Sequence, residues 1–249
     1  METTIQDRYG DTRPTDASPA GIRGWTPERS FLRWGGIVGM AGAALMLGVF
    51  LFVGAIVGPD PAGSDGPISR FPEIRTARTI ENTAYLAVLV LWTAHVLALY
   101  RVVRGASPGT AIVGTTLSVM GLVVLAAGAL PHAATVSLAQ LYHDAGASAQ
   151  DQAALVVAWQ TTQGIFNALL VTGLALMPTG MVVLGIGMRA TPVFGTRYGW
   201  TAVALGLIGA VAAVALLADP QSFIAVVGFF ALILLHLVIG WKVNRLSRS

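Results

Sequence analysis

Two histidines, His95 and His236, lie on separate apolar stretches of the chain, each about five or six residues before the polar end of its stretch. Imidazoles on two helices at one depth are what bis-histidine ligation of haem requires, and haem b is the cofactor such a pair would hold. The plainer reading is that each ring bonds a neighbouring carbonyl or hydroxyl, since no single stretch carries two histidines of its own. His132 and His143 could form a second, looser pair and are read as interfacial polar residues.

A second constellation combines Glu81 and Asn82 with Gln160, Gln163 and Asn167, the last three spaced three and four residues apart and so expected on one helical face. Groups of this kind on apolar segments must face protein or water. They predict either an interhelical hydrogen-bond network, the preferred reading, or a polar cavity.

Other chemistry is absent from the sequence. There is no cysteine, which removes disulfides, thiolate metal sites and cysteine nucleophiles. Gly185-Ile186-Gly187-Met188-Arg189-Ala190 spells G-x-G-x-x-A, but it ends an apolar segment instead of following a strand, so it is no dinucleotide fingerprint. No phosphate loop, zinc-binding H-E-x-x-H or G-x-S-x-G turn is found, no metal site is expected, and the reading leans against an enzyme.

The elements that must position these residues follow from composition. Of 249 residues, 55% are hydrophobic and 11% charged, with a mean hydropathy of +0.70. A soluble domain carries about a quarter of its residues as charges, so the solvent of this chain is lipid. Apolar stretches at about 34–57, 80–100, 110–130, 159–188, 200–217 and 222–240 predict six spans, each long enough for a hydrocarbon layer of about 30 Å. The fold class expected is all-α, a polytopic transmembrane helix bundle forming one domain over residues 34–241, with a polar, partly disordered tail over 1–33 and a short basic tail over 242–249.

The connections carry their own signals. Gly58 to Thr79 holds Pro59, Pro61, Pro67 and Pro72 and reads as an exposed loop whose later part rests on lipid headgroups. Pro131 to Gln160 is semi-polar and predicts a short amphipathic helix on the outer face, ended by Gly146, before a Ser148-x-x-Asp151 capping box starts the next helix. Pro178 within the fourth span predicts a kink or tilt. Asp219-Pro220 is a tight turn between the last two spans. Gly35, Gly39, Gly42 and Ala43 offer a small-residue face for close helix approach, and such faces suggest a homo-oligomer or a membrane-protein partner.

Charge sets the expected orientation. Twelve of the 15 basic residues fall in the N-terminal tail, after the second and fourth spans and at the C-terminus, so both termini are predicted inside (N-in/C-in) in the cell membrane. Trp34, Tyr100, Tyr198, Trp200 and Trp241 fall at the same inner boundary. The basic residues do not form a patch, so the pI near 9.7 implies no nucleic acid. Membrane lipids are the expected partners.

Three segments carry a resemblance: Ala98 to Arg104 (ALYRVVR), Gly114 to Gly121 (GTTLSVMG) and Gln163 to Asn167 (QGIFN). With the amphipathic stretch before the fourth span, the chain from Ile80 to Gly240 resembles uncharacterised six-span prokaryotic integral membrane families, domains of unknown function that imply no catalytic residues. The function expected is a non-enzymatic multi-pass membrane protein, structural, accessory or binding lipid or another apolar ligand. The alternative is a haem-binding membrane electron carrier using His95 and His236.

Overall fold

A computed structural model describes residues 26–58, 61, 63–219, 222 and 224–248. Most of the expected N-terminal tail, together with Pro59, Asp60 and Pro220, lies outside the described residues. Six helices follow in chain order: α1 (Thr26–Phe52), extended by a π-helical turn over Val53–Val57, α2 (Gly66–Val103), α3 (Pro108–Tyr142), α4 (Ala149–Ala190), α5 (Gly195–Ala218) and α6 (Ile224–Leu246). All six are long and apolar enough to cross a membrane. Each helix packs mainly on its neighbours in sequence, and α6 closes against α1, so the helices form a ring. With an even number of passes, the start of α1 and the end of α6 share one end of the ring, called here the terminal end; the other is the far end.

Large apolar side chains stand on the outer surface of the ring. Leu51, Val90, Leu130, Val211 and Leu217 are exposed around the bundle, the pattern of a protein whose surroundings are lipid and not water. Inside, small residues bring backbones together. A side chain at Gly180 of α4 would run into the Ser118 backbone of α3, and one at Gly209 of α5 would meet Pro178 at 2.9 Å. Gly39 and Gly42 likewise face α2, where added atoms would meet His95 and Trp92. The small-residue face of α1 is thus used within the chain.

Three helices are much longer than the expected spans. At 1.5 Å per residue, α2, α3 and α4 measure about 57, 52 and 63 Å, well beyond a hydrocarbon layer of about 30 Å. Their excess is at the far end, and it corrects two expectations. Residues 66–79 are not a loop; they are the first turns of α2. The stretch after Pro131 is not a separate amphipathic helix, because α3 continues through it to Tyr142.

The reason is a small core that spacing within one helix does not reveal. Ile68 and Phe71 of α2, Ala139 of α3 and Trp159 of α4 are buried against one another, with Phe71 and Trp159 edge-on at 5.4 Å. Burying two aromatic rings and an isoleucine outweighs the local cost of the prolines. Pro67 lies in the first turn of α2, where its missing N–H has no helical partner. Pro72 leaves the Ile68 carbonyl without its usual donor, and the His143 Nε2–H, reaching across from the end of α3, supplies one at 3.3 Å. Arg70 donates to the Val57 carbonyl at the end of the π-helical turn. The Ser148–Asp151 capping box starts α4, with Asp151 N–H donating to Ser148 Oγ at 3.2 Å and Ser148 N–H to Asp151 Oδ2 at 3.0 Å.

Candidate functional site

Polar side chains gather at two levels of the ring. Toward the terminal end, His95 of α2 and His236 of α6 are both fully buried, with ring centroids 5.4 Å apart. The His95 Nδ1–H donates to the Gly35 carbonyl of α1 at 2.8 Å, and the His236 Nδ1–H to the Leu232 carbonyl of its own helix at 2.9 Å. Trp92, one helical turn before His95 and also fully buried, stacks on His236 at 4.1 Å with the planes 17° apart. Among the described residues, the two Nε2 atoms and Trp92 Nε1 have no hydrogen-bond partner.

The two histidines therefore do share one level. A haem between them would need the plane of its macrocycle to pass between the rings, but Trp92 already covers one face of His236 and the α1 backbone at Gly39 lies against His95. The residues as arranged do not fit haem b.

The second level is at the far end, where the ring encloses a cavity of about 180 Å³. Met46, Val49 and Phe50 of α1, Phe166 and Leu170 of α4 and Phe229 of α6 give it apolar walls, and its polar groups are Glu81, Asn82 and Tyr85 of α2 with His132 of α3. Glu81 is paired with Arg78 at 2.9 Å, both side chains about one-fifth exposed. His132 packs edge-on against Phe166 at 5.3 Å. Two smaller crevices adjoin, both lined by Arg78 and His132, and Gln163 and Thr135 line one of them.

No protein family, curated protein or solved structure matches this chain.

The far-end constellation differs from its sequence expectation in composition. Glu81 and Asn82 line the cavity and Gln163 the neighbouring crevice, but Gln160 and Asn167 are exposed. The inward stripe of α4 is Trp159, Gln163, Phe166 and Leu170, at helical spacings of four, three and four. Gln160 and Asn167 stand one position round from it and fall outside. His132, read from the sequence only as an interfacial residue, lines the cavity and both adjoining crevices. Its clue in the sequence is the helical spacing from Thr135 and Val136, the latter packing against the far-end core. Arg78 is a further residue of the site, signalled only by its distance of three residues from Glu81, which permits an ion pair on one helix.

Chemically, the site offers an apolar hollow with a paired charge, an amide, a phenol and an imidazole on its lining. Among the described residues, no three or more of His, Cys, Asp and Glu come together as a metal-binding group.

Proposed function

We propose that this chain is a non-enzymatic multi-pass protein of the cell membrane that holds the apolar end of an amphiphilic molecule in its far-end cavity. The observation that carries this reading is the cavity itself, a pocket with mostly hydrophobic walls and a few convergent polar groups on one side. Size limits the occupant. A dry apolar cavity of about 150 Å³ takes a benzene-sized molecule, so 180 Å³ suits a ring or short branched segment, not a whole lipid tail. The rest of the ligand would lie outside the hollow, its polar part near Asn82, His132 and the Arg78–Glu81 pair. Because that pair is internally neutral, an uncharged or zwitterionic head suits it better than a bare anion.

In this reading the far end is the outer face. Its support is the charge count, with 12 of 15 basic residues at the terminal end or in the tails. A reporter that fluoresces only in the cytoplasm, fused after Ser249, is expected to be bright.

The binding test is mass spectrometry of the intact protein released from mild detergent. An amphiphile is expected at about one per chain, and Leu170→Trp, which fills the hollow, should remove it. A wild-type protein that carries no adduct and takes up no fluorescent apolar probe would sink the proposal.

A further inference from the structure

A hollow of about 180 Å³ holds only part of an amphiphile, so the space that adjoins it decides where the remainder goes. The two adjoining crevices differ in size. The one lined by Phe71 and Trp159 has about 10 Å³, the lower limit for a single water. The one between α2 and α3 has about 160 Å³, close to the hollow itself.

This larger crevice reaches the outside of the ring, because Thr79 and Thr83 of α2 and Ala133 of α3 line it and are exposed. All three side chains are short. The threonine hydroxyls bond back to their own helix, Thr79 to the Arg75 carbonyl at 3.0 Å and Thr83 to the Thr79 carbonyl at 2.8 Å, so neither ties α2 to α3. These residues flank the expected span ends at 80 and 130, which puts the opening at the level of lipid headgroups.

Asn82 and His132 line both the crevice and the hollow. The Arg78–Glu81 pair joins them as well, with Arg78 on the crevice and Glu81 on the hollow. A partition of this kind opens by rotamer changes, without movement of a helix. Its chemistry selects what passes. The Tyr85 hydroxyl donates to the Leu125 carbonyl at 3.5 Å, whereas among the described residues the side chains of Asn82 and His132 have no hydrogen-bond partner. An amide and a neutral imidazole each offer a donor and an acceptor, which suits a hydroxyl better than a charged group.

We infer that the crevice between α2 and α3 is a lateral entrance to the cavity, with Asn82 and His132 as its gate. The ligand is an uncharged amphiphile held by a hydroxyl at that gate, its apolar tip in the hollow and its head in the crevice. This rests on the binding reading above and adds the route and the chemical class.

The test uses full-length protein in phosphatidylcholine vesicles and two photoreactive alkylglycerols, one with its diazirine at the chain end and one beside the glycerol. Mass spectrometry of the digested protein locates the labels. The chain-end probe is expected in the hollow, at Phe166 or Leu170, and the glycerol-side probe in the crevice, at Thr83 or Ala133. Ala133→Trp, which blocks the crevice from an exposed position, should abolish labelling of the hollow, and Ala134→Trp, exposed but outside the crevice lining, should leave it unchanged. Asn82→Leu should lower chain-end labelling about fivefold, the weight of one hydrogen bond, without affecting a diazirine-bearing alkane. A wild type labelled nowhere in the hollow overturns the binding reading and this inference together. Hollow labelling that survives Ala133→Trp, or both alkylglycerols labelling the same residues in the wild type, overturns the entrance alone. Equal loss of alkylglycerol and alkane in Asn82→Leu overturns the selection for a hydroxyl.

Discussion

His236 and His132 are both histidines on apolar helices, but their neighbours give them opposite characters. His236 is enclosed by Trp92, His95 and the packing of α1 against α2 and α6, with no exposed surface. His132 borders a hollow and is half-buried beside the Arg78–Glu81 pair. The difference arises from α1. At the terminal level Gly39 and Gly42 let its backbone press on His95 and Trp92, so the packing closes. Two turns farther on, Met46, Val49 and Phe50 hold the helices apart and, with aromatic residues from α4 and α6, leave a cavity. Residue size along one helix thus decides where the ring is solid and where it is open.

The strongest way to break this comparison is to add bulk where the ring is closed. A Cβ at Gly39 would sit 2.5 Å from His95 Nδ1, whereas one at Gly48 would meet nothing within 4 Å. Gly39→Val should therefore cost about 3 kcal/mol or prevent folding, while Gly48→Val should shift the melting temperature little. Thermal unfolding in detergent checks both. Equal effects at the two positions would mean that α1 does not set the difference.

Bulk added where the ring is open should behave differently. Leu170→Trp is expected to abolish retention of the amphiphile while changing stability by no more than about 1–2 kcal/mol, because the new ring enters existing space. Ligand occupancy by mass spectrometry and the melting temperature, measured on one preparation, separate the two effects. If stability collapses along with binding, the hollow is not pre-formed.

Much of the ring was legible from residue types. Six apolar stretches, the Ser148–Asp151 box and the shared level of His95 and His236 are all present in the structure, because helix length, capping and depth are local properties. The far-end extension was not. Proline at 67 and 72 argues against a helix locally, and only the burial of Phe71 against Trp159, which is 88 residues away, explains why α2 starts at Gly66. The same non-local packing turned Gln163 inward and Gln160 outward, which a three-and-four spacing could not resolve. Trp92 was equally hidden, since an apolar residue on an apolar helix gives no sign of a partner until α6 is in place.

The far-end extension also makes a measurable claim about Pro72. The bond from His143 to the Ile68 carbonyl replaces the one that proline removed, so His143→Ala should cost about 1 kcal/mol in the natural chain. In a Pro72→Ala background the backbone N–H restored at that position takes over the Ile68 carbonyl, and the same change should cost about half as much or less. A double-mutant cycle on thermal stability measures the difference. Strict additivity would show that His143 is in place for another reason.

The smallest effect is expected at the start of α4, in the exposed capping box beyond the expected span. Hydrogen bonds from the Ser148 side chain and then its backbone N–H hold the Asp151 carboxyl below the usual carboxylate range. A carboxyl whose folded pKa is depressed stabilises the fold at pH values above its ordinary range, and that contribution is lost as pH falls through the depressed value. Amide exchange in the first turn of α4, read by mass spectrometry, should therefore be slow at neutral pH and relatively faster in acid after correction for the intrinsic rate. In Ser148→Ala the protection should already be reduced at neutral pH and should change less with acid. Because the Phe71–Trp159 contact that anchors the extension does not titrate, this fraying should stay within the first turn; loss of protection reaching Trp159 would mean that the cap, and not the Phe71–Trp159 core, anchors the extension.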